Sequence, residues 1–125
     1  MVNASGSTRR KTATHSKTYY AKALGQKVIT VGIGAEFTYN GTTVTARTTE
    51  NYTKTHWGSL GTWQLKNKSN GIQKPSKSRR IAYQDATFVQ GLTVQGQGLV
   101  FQSRYLRANI GSNQHGRISR TSVSR

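Results

Sequence analysis

The chain has 125 residues, no cysteine and only 33% apolar residues, and its 19 lysines and arginines outnumber three acids to give a net charge of +16. This composition excludes disulfides, thiol catalysis and cysteine-bound zinc, and it predicts one small domain that gains stability from a partner or from self-assembly. The sequence has no apolar run long enough to span a membrane and no secretory signal, so we expect no membrane partner and a location inside a cell or a virion.

The positive charge is divided among three segments. Residues 1–27 contain six cations, residues 54–80 seven and residues 104–125 five, with no acid in any of them. The three acids lie between these segments, at Glu36, Glu50 and Asp85. Because like charges at this density oppose a compact state unless a polyanion neutralises them, the pattern predicts a near-neutral core with basic extensions that bind an acidic surface. A solvated surface that charge merely keeps soluble is the less favoured alternative.

The first segment, residues 1–27, is predicted to be a basic N-terminal arm. It contains the run Arg9-Arg10-Lys11, which suits phosphate binding although short basic runs are unspecific signals. The stretch TYYAKALG at residues 18–25 favours one or two helical turns that Gly25 would end.

Residues 28–50 predict a β-hairpin. Between Ile29 and Tyr39 the odd-numbered residues are apolar or aromatic, which is the pattern of a half-buried strand. Asn40-Gly41 then suits the two left-handed positions of a type I′ turn. Such a turn predicts these cross-strand pairs: Tyr39 with Thr42, Phe37 with Val44, and Ala35 with Ala46.

The other face of this hairpin is rich in threonine and short of charge. Gly32 and Gly34 make it flat, so another backbone or a sugar-phosphate strand could approach closely; an ordinary solvated threonine face is an equal alternative. Glu36 lies diagonal to Arg47 in the predicted register, within reach of a surface ion pair.

Residues 54–80 are predicted to form a long basic loop. Within it, TWQLK at residues 62–66 favours a short strand and Asn70-Gly71 a turn, while Pro75 argues for irregular structure. Trp63 is predicted to cover the small core rather than to stack on a base.

QGLTVQGQGLVFQ, at residues 90–102, predicts a second hairpin. Gly96-Gln97 suits a type II′ turn, which needs glycine first, and a turn at Gln97-Gly98 is a weaker competitor. The preferred turn predicts these cross-strand pairs: Val94 with Leu99, Leu92 with Phe101, and Phe88 with Tyr105.

We therefore predict an all-β fold, a small antiparallel sheet or barrel built on two hairpins. The single β domain is assigned to residues 28–106 and includes the basic loop 54–80. A basic C-terminal tail, residues 107–125, is expected to be extended from Ile110 onward.

Cations of the arm, the loop and the tail are the candidate contacts for nucleic acid, because lysine and arginine neutralise phosphates. These candidates are Arg9, Arg10, Lys11, Lys17, Lys66, Lys68, Lys74, Lys77, Arg79, Arg80, Arg104, Arg107, Arg117 and Arg120. Aromatic residues near cations suit base stacking, and the candidates are Tyr19, Tyr20 and Trp57. For Trp57 a role in covering the core is equally favoured.

Catalytic motifs are poor in this sequence. GIGAEF at residues 32–37 lies inside a predicted strand and does not continue as a dinucleotide-binding loop. The three histidines lie in different basic segments and lack the carboxylate or thiol partners of a metal site. A His56–Glu50 acid–base pair that cleaves RNA is a weak alternative. We predict a protein that is not an enzyme and uses no cofactor and no metal.

These features favour a structural protein of a nucleoprotein particle that binds nucleic-acid backbone, RNA rather than DNA, with little sequence selectivity. Ribosomal proteins and viral or phage coat proteins both combine a compact core with basic extensions, and the Thr-, Ser-, Asn-, Gln- and Gly-rich core is closer in composition to coat proteins, which is an analogy. Copies of the chain or other subunits of a large assembly are the expected further partners. The alternative is a basic linker that joins acidic protein subunits.

Overall fold

The structure is a computed structural model that describes residues 7–20, 25, 27–56, 62–94 and 97–125. These ranges contain seven strands and no helix, and hence no helix that could cross a lipid bilayer. The strands are β1 (Arg9–Tyr20), β2 (Lys27–Tyr39), β3 (Val44–Thr55), β4 (Thr62–Ser76), β5 (Arg79–Val94), β6 (Gln97–Asn113) and β7 (Ile118–Ser124).

The strands form two antiparallel sheets that pack against each other. Sheet A has the order β1-β2-β3, and sheet B has the order β4-β5-β6-β7. One cluster of buried side chains joins them. The prediction of an all-β antiparallel fold is confirmed, but the arrangement is a two-sheet sandwich rather than a single sheet or a closed barrel.

The core lies between the two sheets. The odd-numbered face of β2 points into it, as predicted, and Ile29 and Phe37 there are fully buried. The even-numbered faces of β5 and β6 cover it from the other side with Phe88, Leu106 and Ile110. Each such side chain contributes about 1.5–3 kcal/mol when it is fully buried, so this interface is the main source of stability.

The first hairpin has the predicted faces but a longer loop, so its predicted register is wrong. The Oδ1 of Asn40 accepts hydrogen bonds from the backbone N–H groups of Thr42 and Thr43, at 2.9 and 2.8 Å. This Asx-type turn replaces the type I′ turn and sets Tyr39 opposite Val44. Between Ala35 and Tyr39 the shift is two residues, so the side chains there keep their faces, whereas a bulge between Gly34 and Ala35 shifts the rest of the pairing by one residue more.

The new register changes the geometry of the ion pair on the outer face of sheet A. Glu36 lies directly opposite Arg47 rather than diagonal to it. The Nε of Arg47 is 3.0 Å from Oε1 of Glu36, which confirms the predicted contact.

Side chains of β3 cover the two glycines on the outer face of sheet A. Gly32 lies beneath the ring of Tyr52, and a Cβ at position 32 would come within 2.1 Å of the ring carbon Cε1. Gly34 lies beneath Glu50, whose Cγ would be 2.7 Å from such a Cβ. The close approach considered for another backbone or a sugar-phosphate strand is therefore made by the chain itself, an arrangement that shields backbone at strand glycines.

Most of the predicted basic loop is a strand, so the loop prediction for residues 54–80 is wrong. β4 covers the stretch predicted as a short strand and continues through Asn70 and Gly71, which pair with β5 instead of turning. Pro75 lies where the β4–β5 pairing is interrupted, a position that tolerates a missing N–H. β4 is an edge strand, so it lacks the apolar alternation that marks a central strand.

The second hairpin pairs differently from the prediction. Val94 pairs with Gln97, so Gln97 belongs to β6 and not to a turn; Gly96 lies outside the described residues. Near the turn the pairing is shifted by two residues from the prediction, and a bulge between Gln90 and Gly91 reverses one of them, so Phe88 lies opposite Arg104 instead of Tyr105. The bulge thereby sends Tyr105 to the outer face while Phe88 stays in the core.

Both terminal segments take part in the sheets. β1 lies within the predicted arm and includes Thr18–Tyr20, where the helical expectation is wrong; residues 21–24 lie outside the described residues. β7 lies within the predicted tail and pairs with β6, so the expectation of an extended chain from Ile110 onward is wrong as well.

Candidate nucleic-acid interface

One end of the sandwich brings together loops from distant parts of the chain. The backbone N–H of Gly41 donates to the carbonyl of Gln114 at 2.8 Å, and that of Val44 donates to the carbonyl of Lys77 at 3.0 Å. The Nζ of Lys11 donates to the carbonyl of Gly116 at 3.0 Å. These hydrogen bonds join the start of β1 and the β2–β3 loop to the β4–β5 turn and the β6–β7 loop.

Seven cations lie at this end, which we call the basic end. They are Arg9, Arg10, Lys11, Lys77, Arg79, Arg80 and Arg117. The described loops and strand ends that form the basic end are residues 7–11, 37–44, 76–80 and 113–118, and none of these residues is acidic. Such a concentration of one sign of charge creates a positive potential that attracts polyanions.

The cations of the basic end divide into structural and free groups. Lys11 holds the β6–β7 loop through Gly116, and the Nη1 of Arg80 donates to the carbonyls of Ser76 and Arg79, which stabilises the β4–β5 turn. The side chains of the other five donate no hydrogen bond within the described part of the chain. These are Arg9, Arg10, Lys77, Arg79 and Arg117, and they are available to an external anion.

An open cleft of about 370 Å³ adjoins the free cations. Arg9, Tyr39 and His115 line it together with the β2–β3 loop. The sequence did not identify Tyr39 as a candidate, and nothing local in the sequence places it beside His115, because only the fold brings β2 and the β6–β7 loop side by side.

Gly116 shapes this end of the sandwich. Its φ is +77°, in the left-handed region, and a Cβ at this position would lie 2.3 Å from the ring of Tyr39. Gly41 is a matched comparison, because its φ is +88° but a Cβ there would meet nothing within 4 Å.

We expect Gly116→Ala to destabilise the protein more than Gly41→Ala. The left-handed conformation costs about 1–2 kcal/mol for a residue with a Cβ, and both variants carry this cost. Overpacking against Tyr39 adds about 1–3 kcal/mol in Gly116→Ala alone. Urea denaturation of both variants measures the difference; equal losses would contradict the contact with Tyr39.

Three other predicted phosphate contacts already have partners in the fold. The guanidinium of Arg104 stacks on Tyr19 at 4.2 Å from the ring centroid, and that of Arg107 stacks on Tyr83 at 4.2 Å. The Nε of Arg120 donates to the carbonyl of Thr14 at 2.9 Å and so bridges β7 and β1. These arginines stabilise the sandwich.

Most of the remaining predicted cations lie away from the basic end. Lys17 lies on β1, and three exposed lysines lie along the edge strand β4, at Lys66, Lys68 and Lys74. Lys74 lies two residues before the end of β4 and so borders the basic end, whereas Lys66 and Lys68 lie further along the strand. Lysines on an edge strand prevent it from pairing with another sheet, so the lysines on β4 have a structural role that does not depend on nucleic acid.

The candidates for base stacking have different environments. Tyr19 packs edge-to-face on Trp63 with ring centroids 6.0 Å apart, and Trp63 is only 8% exposed, so its predicted role in covering the core is confirmed. Tyr20 is 50% exposed and free to contact a ligand. Trp57 lies outside the described residues.

Asp85 organises the outer face of sheet B, which the sequence did not reveal. Its Oδ1 accepts hydrogen bonds from the backbone N–H and the hydroxyl of Ser69, at 3.1 and 2.7 Å. Its Oδ2 accepts one from the hydroxyl of Tyr105 at 3.0 Å and lies 3.7 Å from Nη1 of Arg107. A lone acid between basic segments was the available signal, but its partners come from two other strands, β4 and β6.

Two histidines have lowered pKa values. Burial lowers the pKa of His15, and the charges of Arg120 and Lys17 lower it further. Burial, Lys54 and Lys27 lower the pKa of His56, whose Nε2 lies 2.7 Å from the hydroxyl of Thr30.

We expect the protein to lose stability on acidification through the histidine range. A histidine pKa lower in the folded than in the unfolded state means that the unfolded chain binds the proton first. The stabilisation is complete above the ordinary pKa of about 6.5 and is lost as the pH falls through the folded-state value.

Urea midpoints between pH 7.5 and 5 measure this loss. His15→Gln should flatten the dependence, whereas the exposed control His115→Gln should retain the wild-type slope. A wild-type slope in His15→Gln would refute the contribution of His15.

The described residues show no group of three or more histidines and acids that could hold a metal ion. His56 bonds Thr30, while Glu50 covers Gly34 further along the same face of sheet A. The pairing considered for RNA cleavage is therefore not formed in this structure.

Comparison with known proteins adds no family to this description. No protein-family model matches the chain, and neither the curated proteins nor the solved structures contain a significant match.

Proposed function

We propose that this chain is a non-enzymatic structural protein of a nucleoprotein assembly, and that its basic end binds the nucleic-acid backbone. The observation that carries the proposal is the convergence of three basic segments, far apart in sequence, at one end of the sandwich. Five cations there have side chains without a hydrogen-bond acceptor in the described part of the chain, and no acid lies among the surrounding described residues.

The arrangement favours contact with phosphates over reading of bases. The free cations project from loops and strand ends, and the described residues contain no helix that could enter a major groove. Cations that neutralise phosphates supply affinity without sequence information. RNA is the proposed polymer, with the cleft beside Arg9 as a place for an unpaired nucleotide.

The assembly is the second part of the proposal. With a net charge of +16, copies of the chain repel one another, and a bound polyanion removes that repulsion. Nucleic acid would therefore promote association of copies, as in a coat-like particle.

Fluorescence anisotropy with labelled polymers tests the function. At a fixed salt concentration, the wild type is titrated into single-stranded RNA of 10 and 30 nucleotides, duplex DNA of 30 base pairs, and poly-L-glutamate. We expect tighter binding to the longer RNA, and a binding constant that falls linearly on a log–log plot against salt. Sedimentation of the same samples should show association only with nucleic acid.

The basic-linker alternative predicts the reverse pattern. Weak and length-independent binding to both nucleic acids at physiological salt, with tight binding to poly-L-glutamate, would overturn the nucleoprotein proposal. Equal binding to single-stranded RNA and to single-stranded DNA of 30 nucleotides, which have matched charge density, would support backbone contact and refute the preference for RNA.

A further inference from the structure

A groove on the outer face of sheet B lies beside the basic end. Its volume is about 230 Å³, and Gly111 on β6 lies at its floor. The polar groups that line it include Arg79, Arg107, Ser119 and Thr121. These residues come from β5, β6 and β7, so only the folded sheet brings them together.

The groove depends on the absence of a side chain at Gly111. A Cβ at this position would come within 2.9 Å of Oγ of Ser119 and 3.4 Å of Nη2 of Arg79. The hydroxyl and the guanidinium therefore converge over the glycine from two sides, with a space between them that any other residue would fill.

Arg79 is the uncompensated charge of the groove. Its side chain donates no hydrogen bond to any described residue, and the nearest acid along its sheet, Asp85, is not among the lining residues. Guanidinium donors match the geometry of a phosphate oxygen pair, which makes an unpaired arginine in a groove well suited to that ligand.

Arg107 is held in place at the other side. Its guanidinium stacks on Tyr83 at 4.2 Å, and its Nε donates to Oδ1 of Asn109 at 2.8 Å. Asp85 compensates part of its charge at 3.7 Å, but that carboxylate is already occupied by Ser69 and Tyr105. Arg107 thus contributes a pre-oriented donor more than a free charge.

The hydroxyl groups of Ser119 and Thr121 add two hydrogen-bond donors to the groove. The Oγ1 of Thr121 accepts a hydrogen bond from Nδ2 of Asn109 at 3.1 Å, so its own proton is left to donate. The hydroxyl of Ser119 has no hydrogen-bond partner among the described residues. Donors predominate over acceptors at this floor, as an oxyanion site requires.

We propose that this groove is a binding site for one phosphate group, held by Arg79 with support from Arg107, Ser119 and Thr121. The site rests on the proposed function only for the source of the phosphate. If a bound RNA strand continues from the basic end, its backbone supplies that phosphate. A free phosphate ion has the same chemistry and is the other source.

Arginine-selective NMR with inorganic phosphate as the probe tests the site. The Nε–Hε resonances are followed during titration with phosphate in chloride buffer at constant ionic strength. We expect saturable shifts for Arg79 and Arg107, and none for Arg47, which pairs with Glu36 on sheet A and serves as the internal control. Arg79→Gln and Gly111→Ala should each weaken phosphate binding at least tenfold. Linear, unsaturated shifts of all arginines would overturn the site, because they report general screening.

A parallel titration with the RNA of 30 nucleotides separates the two sources. The same Arg79 shift with RNA assigns the phosphate to nucleic acid. Saturable phosphate binding without RNA binding supports the groove and refutes the proposed function. If no saturable phosphate shift appears and RNA binding is unchanged in Arg79→Gln and in Gly111→Ala, the groove alone is refuted. Because Ser119 must rotate to admit the alanine, thermal melting of Gly111→Ala checks its fold, and Arg79→Gln repeats the test without filling the groove.

Discussion

Replacing four free cations of the basic end with glutamine should lower RNA affinity by about two orders of magnitude near physiological salt. The variant carries Arg9→Gln, Arg10→Gln, Lys77→Gln and Arg117→Gln. Each lost phosphate contact on a single strand flattens the slope of log K against log salt by about 0.7, so four lost contacts flatten it by about three units. Lys11 and Arg80 are left unchanged because they stabilise the loops, and Arg79 is left unchanged because it lines the groove over Gly111.

A second variant with the same change in net charge is the control. It carries glutamine at four exposed lysines distant from the basic end, namely Lys27, Lys54, Lys66 and Lys68. Anisotropy titrations at four salt concentrations compare the two variants with the wild type. Equal flattening in both would show that net charge, and not the basic end, determines binding.

Phe37→Ala should reduce the free energy of unfolding by about 3–5 kcal/mol. Phe37 is fully buried between the sheets and is among the largest side chains of the core. Its removal leaves a cavity that the facing sheet cannot fill without moving β5 and β6, so the loss includes a cavity term as well as lost burial. Two-state urea denaturation measures it.

Leu65→Ala is the matched control for this variant. Leu65 lies on the edge strand β4 and is 41% exposed, so its truncation should cost less than about 1 kcal/mol. A loss for Phe37→Ala as small as that of Leu65→Ala would mean that the sheets do not pack as a sandwich in solution.

The sequence by itself determined the fold class and the composition of the core on β2. An alternation with a period of two needs no tertiary information, because successive side chains of a strand point to opposite faces. It placed Phe37 in the core, and the small shift of the first turn left that placement intact. The division of charge along the chain also predicted which segments carry the candidate contacts.

Only the tertiary structure decided the registers. In the first hairpin a side-chain acceptor, Oδ1 of Asn40, replaced the expected turn; in the second, a shift after Gln90 changed the partner of Phe88. Such differences depend on single hydrogen bonds and single extra residues, which local propensity does not resolve. The continuation of β4 beyond residues 62–66 was missed because an edge strand buries little apolar surface and so leaves no alternation to read.

The candidate site also depends on both the sequence, which supplies its charged residues, and the fold, which brings them together. Basic clusters are visible in the sequence, but their meeting depends on hydrogen bonds between segments about a hundred residues apart, such as that from Nζ of Lys11 to the carbonyl of Gly116. The groove over Gly111 depends on Arg79 and Ser119 from neighbouring strands. Sequence specifies which residues carry charge, whereas the pairing of strands specifies which charges are neighbours, because cross-strand distances are set by register and not by separation along the chain.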